Sequence, residues 1–93
     1  MSFSNLGREI GELVDRKQYE YGDSISKSEK ILEVLYPDGV KPCQYSDLLL
    51  VTRTVDKLCR ISMRGPSRKD LGGESPWTDI AGYGMLGVSK DKV

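Results

Sequence analysis

Four cations, Arg53, Lys57, Arg60 and Arg64, recur at i, i+4, i+7 and i+11. At about 100° per residue, this spacing puts all four within roughly 60° of one another on a helix. Like charges at such spacings repel by a few tenths of a kcal/mol per i,i+4 pair, so the stripe calls for an anion nearby. Arg forks match the geometry of phosphate and carboxylate groups, and Arg68 and Lys69 follow in the next polar segment. Two readings follow. One is a solvated face neutralised by Asp56 or by acids on other helices. The other is a binding surface for a nucleotide, a nucleic-acid strand or an acidic protein.

Glu9 and Glu12 form an ExxE step, which places two carboxylates close together on a helix surface, as a Mg²⁺ site requires. A hard cation needs more oxygen ligands from a second element, and Asp47, Asp56, Glu74 and Asp79 are the distributed candidates. With Asp79 as third ligand, Lys57 and Arg60 would face the phosphates of a nucleotide. The competing reading of Glu9 and Glu12 is a solvated helix face. Six amphipathic aromatics, Tyr19, Tyr21, Tyr36, Tyr45, Trp77 and Tyr83, cap a small core on the plain reading. Tyr21, Trp77 and Tyr83 are the candidates for stacking a base or anchoring a partner.

Composition narrows the chemistry. The chain has no His, which removes Ser-His-Asp and Cys-His catalysis and the commonest metal ligand, so no catalytic set is assigned and no cofactor is expected outside the Mg²⁺ reading. Fourteen basic and fourteen acidic side chains cancel, unlike the global positive charge of a general nucleic-acid binder. Cys43 and Cys59 fit no CxxC pattern and are expected as reduced thiols in a cytoplasmic protein with no membrane partner.

The elements that position these residues are all helical. Leu6, Ile10, Leu13 and Val14 predict a first helix from Ser4 to about Tyr19 with one buried stripe. Gly22 can take a left-handed conformation, and Asp23 and Ser24 can cap a new helix. Ser26-Lys27-Ser28-Glu29 has capping-box spacing for a second helix, expected from Ser24 or Ser26 to about Tyr36, and Pro37-Asp38-Gly39 stops it. The third helix, about Ser46 to Met63, carries Leu48, Val51, Val55, Leu58, Cys59 and Ser62 on the side opposite the cations. Residues 65–74 read as a polar surface loop. Ser75-Pro76 reads as a cap and first residue of a fourth helix with Trp77, Ile80, Ala81 and Gly84 on one face. Gly82, Gly84 and Gly87 are expected to mark close helix packing, and residues 89–93 a frayed tail. The expected fold is all-α, a single domain over 1–93 built as a bundle of about four helices. At 93 residues such a domain gains stability from self-association, so a homo-oligomer is expected as an option.

Three stretches carry a resemblance: Arg16-x-x-x-x-Tyr21-Gly22-Asp23, the helix from Asp47 to Lys57-Leu58-Cys59-Arg60-Ile61, and Ser75-Pro76-Trp77-Thr78-Asp79-Ile80-Ala81-Gly82-Tyr83. Together they resemble small all-helical proteins frequent in bacteriophages and prophages, over roughly residues 8 to 87. The resemblance implies a helical protein of a type found beside phage nucleotide-metabolism or DNA-modification genes, with no established activity. It also implies a distant likeness to MazG-type nucleotide pyrophosphohydrolases. That likeness would assign Glu9 and Glu12 to a first metal-binding pair, but no clear second ExxD stands on a later helix. The resulting expectation is a phage or mobile-element protein that binds a host or phage partner through the basic stripe, with anti-defence inhibition of a CRISPR nuclease as one form. The alternative is a nucleotide-binding or Mg²⁺-dependent pyrophosphohydrolase-like domain.

Overall fold

The computed structural model describes residues 2–21, 23–66 and 75–92, with the side chains of Glu20 and Tyr21 excepted. Its first helix, α1 (Phe3–Tyr21), starts one residue earlier than the apolar pattern suggests. Ser2 is the reason: its hydroxyl accepts a 3.1 Å hydrogen bond from the Asn5 amide, satisfying one of the orphan N–H groups at the helix start.

The joint after α1 is built around Asp23. This residue is left-handed, with φ 54° and ψ 52°, a conformation that Asp tolerates better than most non-Gly residues. Its amide donates to the Gln18 carbonyl at 3.1 Å, closing α1, and Gln18 Nε2 donates to Asp23 Oδ1 at 2.8 Å. That last bond, made to the charged form, holds the Asp23 carboxyl below its ordinary range. Helix α2 (Ser24–Leu35) starts directly after it, so the Ser26–Glu29 box lies inside the helix and caps nothing. Gly22, expected to be the left-handed residue, lies outside the described residues.

A short 3-10 turn over Pro42–Gln44 links to α3 (Tyr45–Ser62). Gln44 Oε1 accepts the Lys41 amide at 2.9 Å and fixes the turn's entry. Helix α4 (Pro76–Asp91) follows. Ser75 and Pro76 hold the expected first positions, although the Ser75 hydroxyl makes no capping bond. The helix continues to Asp91, through most of the tail expected to fray. The described residues thus form four α-helices and no strand, an all-α fold, and no helix among them is long and apolar enough to cross a membrane.

Helix α3 is the centre of the packing. Its main neighbours are α4 and α2, with a smaller contact to α1. α4 runs antiparallel to it: Leu50 approaches Gly87, Lys57 meets Asp79, and Ile61 lines a cleft with Trp77. Val55 and Cys59, each 4% exposed, and Pro76 form the buried centre. Of the expected seam, Leu48 and Val51 are half-buried, while Leu58 and Ser62 are exposed.

Two sequence expectations need correction. The α1 stripe is not buried within this chain: Leu6, Ile10, Leu13 and Val14 are all exposed, Ile10 by 50%. Helix α4 also turns a different face inward. Pro76, Ile80, Tyr83 and Gly87 face the other helices, whereas Trp77, Ala81 and Gly84 are exposed, a rotation of about a quarter turn at 100° per residue. With this rotation only Gly87 has a neighbour, Leu50 Cδ1 at 3.7 Å from where a Cβ would stand; nothing lies within 4 Å of that point at Gly82 or Gly84. Helix packing within the chain therefore does not explain those two glycines.

Candidate functional site

Arg53, Lys57 and Arg60 share one side of α3, and α4 lies along a flank of it; Arg64, expected to extend the stripe, follows the C-cap Met63 and lies beyond the helix end. Arg53 is exposed, and Lys57, Arg60 and Arg64 are half-buried. Lys57 Nζ sits 3.1 Å from Asp79 Oδ2, with the two side chains 21% and 28% exposed. Part of the counter-charge that the repelling cations call for is therefore supplied across the α3–α4 contact. Asp79 lies in the first turn of α4, where the helix dipole also favours a negative charge.

Two shallow clefts open along the stripe. Ser24, Asp56, Lys57 and Arg60 line one of about 240 Å³, between the start of α2 and the middle of α3. Ile61, Arg64, Gly65 and Trp77 line a second of about 200 Å³. Both fall below the roughly 300–1000 Å³ usual for a small-molecule site. The first combines two cations with one carboxylate and a hydroxyl. It has room for a single acidic group, a carboxylate or a phosphate, approached from solvent.

The remaining candidates are dispersed. Glu9 and Glu12 are exposed on α1, while Asp79 is engaged with Lys57. Among the described residues no three His, Cys, Asp or Glu side chains gather into a group able to hold a metal ion. Trp77 is exposed beside Arg64, and Tyr83 is half-buried elsewhere on α4. Arg68 and Lys69 lie outside the described residues, as does the Tyr21 side chain. Cys43 is exposed and Cys59 buried, both as free thiols, and burial pushes the Cys59 thiol pKa up.

Sequence reasoning named Asp56 as a counter-charge or metal ligand and missed Ser24 as a contributor to the cleft. Asp56 stands on α3 with Lys57 and Arg60, and Ser24 lines the same cleft from the first position of α2. A large apolar groove between α2, α3 and α4, of about 730 Å³, was also not anticipated. Its signal was present as Leu50 and Thr54, an i,i+4 pair on the α3 flank that faces α4. No family model, curated protein or solved structure matches the chain.

Proposed function

We propose that this chain is a binding protein that engages an acidic surface of a protein partner through the basic face of α3, with Arg53, Lys57 and Arg60 as its contacts. In the phage or mobile-element setting that its sequence resembles, the partner would be a host or phage protein, and inhibition of a CRISPR nuclease is one form of such a role. The observation that carries the reading is the convergence of Lys57 and Arg60 on one open cleft in a chain whose charges otherwise cancel. The cleft's small size favours a carboxylate or phosphate presented on a larger surface over an enclosed nucleotide. The neutral total argues against a nucleic-acid strand, which draws its affinity from many phosphate contacts.

Arg60→Glu tests the reading, because it reverses one cleft charge at a half-buried position. Charge-assisted hydrogen bonds contribute about 1.5–3 kcal/mol each. Partner capture from host lysate, or protection of phage against CRISPR interference, should therefore fall at least tenfold while the melting temperature changes little. Equal loss of both would identify the stripe as structural charge pairing. The nucleotide reading, with phosphates on Lys57 and Arg60 and Mg²⁺ on Glu9, Glu12 and Asp79, is tested by calorimetric titration with nucleoside triphosphates and cyclic dinucleotides, with and without Mg²⁺. Heat that requires Mg²⁺ and disappears in Glu12→Gln would displace the protein-binding reading.

A further inference from the structure

The chain exposes far more surface than a self-sufficient domain of its mass. Its accessible area is 7343 Å², whereas a folded monomer of 10.4 kDa exposes about 5400 Å². Its radius of gyration is 16.2 Å, against about 12 Å for a compact domain of this length. The excess area, about 1900 Å² per chain, exceeds the roughly 800 Å² per partner of a standard interface and lies in the range of obligate dimers.

Two apolar features contribute to this exposure, and they differ in shape. The first is convex. Phe3, Leu6, Ile10 and Leu13 alternate at spacings of three and four along α1, the a/d seam of a helix that packs into a bundle, and all four are exposed. The second is concave. α3 forms the floor of the groove with Leu50, Val51 and Leu58, α2 one wall with Ile31 and Leu35, and α4 the other with Tyr83. Thr54 Oγ1 donates to the Leu50 carbonyl at 2.8 Å, which satisfies its hydroxyl within the helix, and Asp47 is the charged residue of the lining. Gly84, with nothing within 4 Å of a Cβ, leaves an opening in the α4 wall where a neighbouring helix can come close.

The two features also match in length. Phe3 to Leu13 spans ten helical rises and Asp47 to Leu58 eleven, about 15 and 16 Å at 1.5 Å per residue. Three helices with an open trough lack one helix of a four-helix bundle, and α1 is such a helix with its seam unpartnered. We infer that the protein forms a symmetric dimer in which the α1 seam of each chain fills the α2–α3–α4 groove of the other, completing two four-helix bundles by reciprocal exchange. The groove floor lies on a different side of α3 from Arg53 and Arg60, so dimerisation leaves the basic face open, and the inference does not depend on the proposed partner binding.

The test uses the full chain in sedimentation equilibrium, with helix content followed by circular dichroism. The wild type is expected at twice the 10.4 kDa chain mass. Ile10→Glu combined with Leu13→Glu spoils the seam, and Gly84→Leu fills the groove; each alone is expected to give a helical monomer. Mixing the two variants restores one intact seam-in-groove contact per pair, so a heterodimer should appear that neither forms alone. A monomeric wild type would overturn the inference, whether the groove is covered by the chain's own α1 or by another protein. A Gly84→Leu variant that remains dimeric would also overturn it, by pointing to α1–α1 pairing, as would a mixture that stays monomeric. If a variant unfolds, the wild-type mass and the milder Gly84→Ala, expected to weaken the dimer without loss of helix, still decide the question.

Discussion

Asp79→Asn and Lys57→Met, made singly and together, measure what the Lys57–Asp79 ion pair between α3 and α4 contributes. At 3.1 Å and an effective dielectric constant of 20, the bare attraction is about 5 kcal/mol. Desolvation and side-chain ordering cancel most of this, and fully exposed pairs retain only about 0.2–1 kcal/mol. With the two side chains 21% and 28% exposed, screening is weaker than at the open surface, and a coupling of about 1 kcal/mol is expected. Asp79 also interacts with the α4 dipole, worth about 0.3–1 kcal/mol by itself. The single mutant therefore loses more than the pair is worth, and only the double-mutant cycle isolates the coupling. The assay is thermal unfolding at one fixed protein concentration, where about 1 kcal/mol shifts Tm by roughly 4–8 °C in a domain of this size. The cycle should be repeated at high salt, which must reduce the coupling. A coupling below about 0.2 kcal/mol at low salt, or one insensitive to salt, would show that α4 is held against α3 by its apolar face alone. Asp79→Asn also releases Lys57 toward the neighbouring cleft, so partner binding should strengthen even as Tm falls. Weaker binding would refute the assignment of Lys57 to the partner contact.

Two further outcomes follow from local geometry. Gly82→Ala should raise stability by about 0.8–1 kcal/mol, read as a higher Tm, because Ala removes the helix-interior cost of Gly and nothing lies within 4 Å of the new Cβ. Cys43 should alkylate at once in the native protein and Cys59 only as the fold opens, as mass spectrometry of iodoacetamide adducts over time would show. Burial raises the Cys59 pKa above its ordinary 9.0, so the fold favours the neutral thiol. That contribution is complete below the unfolded value and is lost as pH rises through the folded one. Stability should therefore decline more steeply above about pH 9 in the wild type than in Cys59→Ala.

The helices were legible because their signals are local. The bounds expected for α3 lie within a residue of those observed, since its apolar positions repeat over five turns and few alternative pairings compete. Of the two starts the residues offered for α2, Ser24 is the one used, because a left-handed Asp23 tied to Gln18 ends the joint directly before it; the capping-box spacing two residues later left that choice open. Arg53, Lys57 and Arg60 stand on α3 as their spacing predicts, while Arg64 falls beyond the helix end, and the sequence could not say that α4 would lie against the flank of the stripe. That contact depends on which face α4 turns inward. Trp77 is the largest apolar side chain on that helix and drew the expected face toward itself, whereas the small, rigid Pro76 occupies the buried position.

The same distinction explains α1. A period of three and four specifies that a face needs cover, and it is silent about which surface provides it. In α3 the cover is supplied within the chain, so Val55 and Cys59 disappear from solvent. In α1 the equally regular Leu6, Ile10 and Leu13 remain exposed, while an apolar groove of the same length stands open on the other three helices. Exposed apolar features of this size mark interaction surfaces, and under the inferred dimer each would cover the other. An apolar side committed to assembly would leave α3 free to present its cations elsewhere. Mutations on α1 should therefore change the association state before they change partner binding, and mutations at Arg53 or Arg60 should do the reverse. If Arg60→Glu dissociates the dimer, the two sides of α3 are not independent and this division of roles fails.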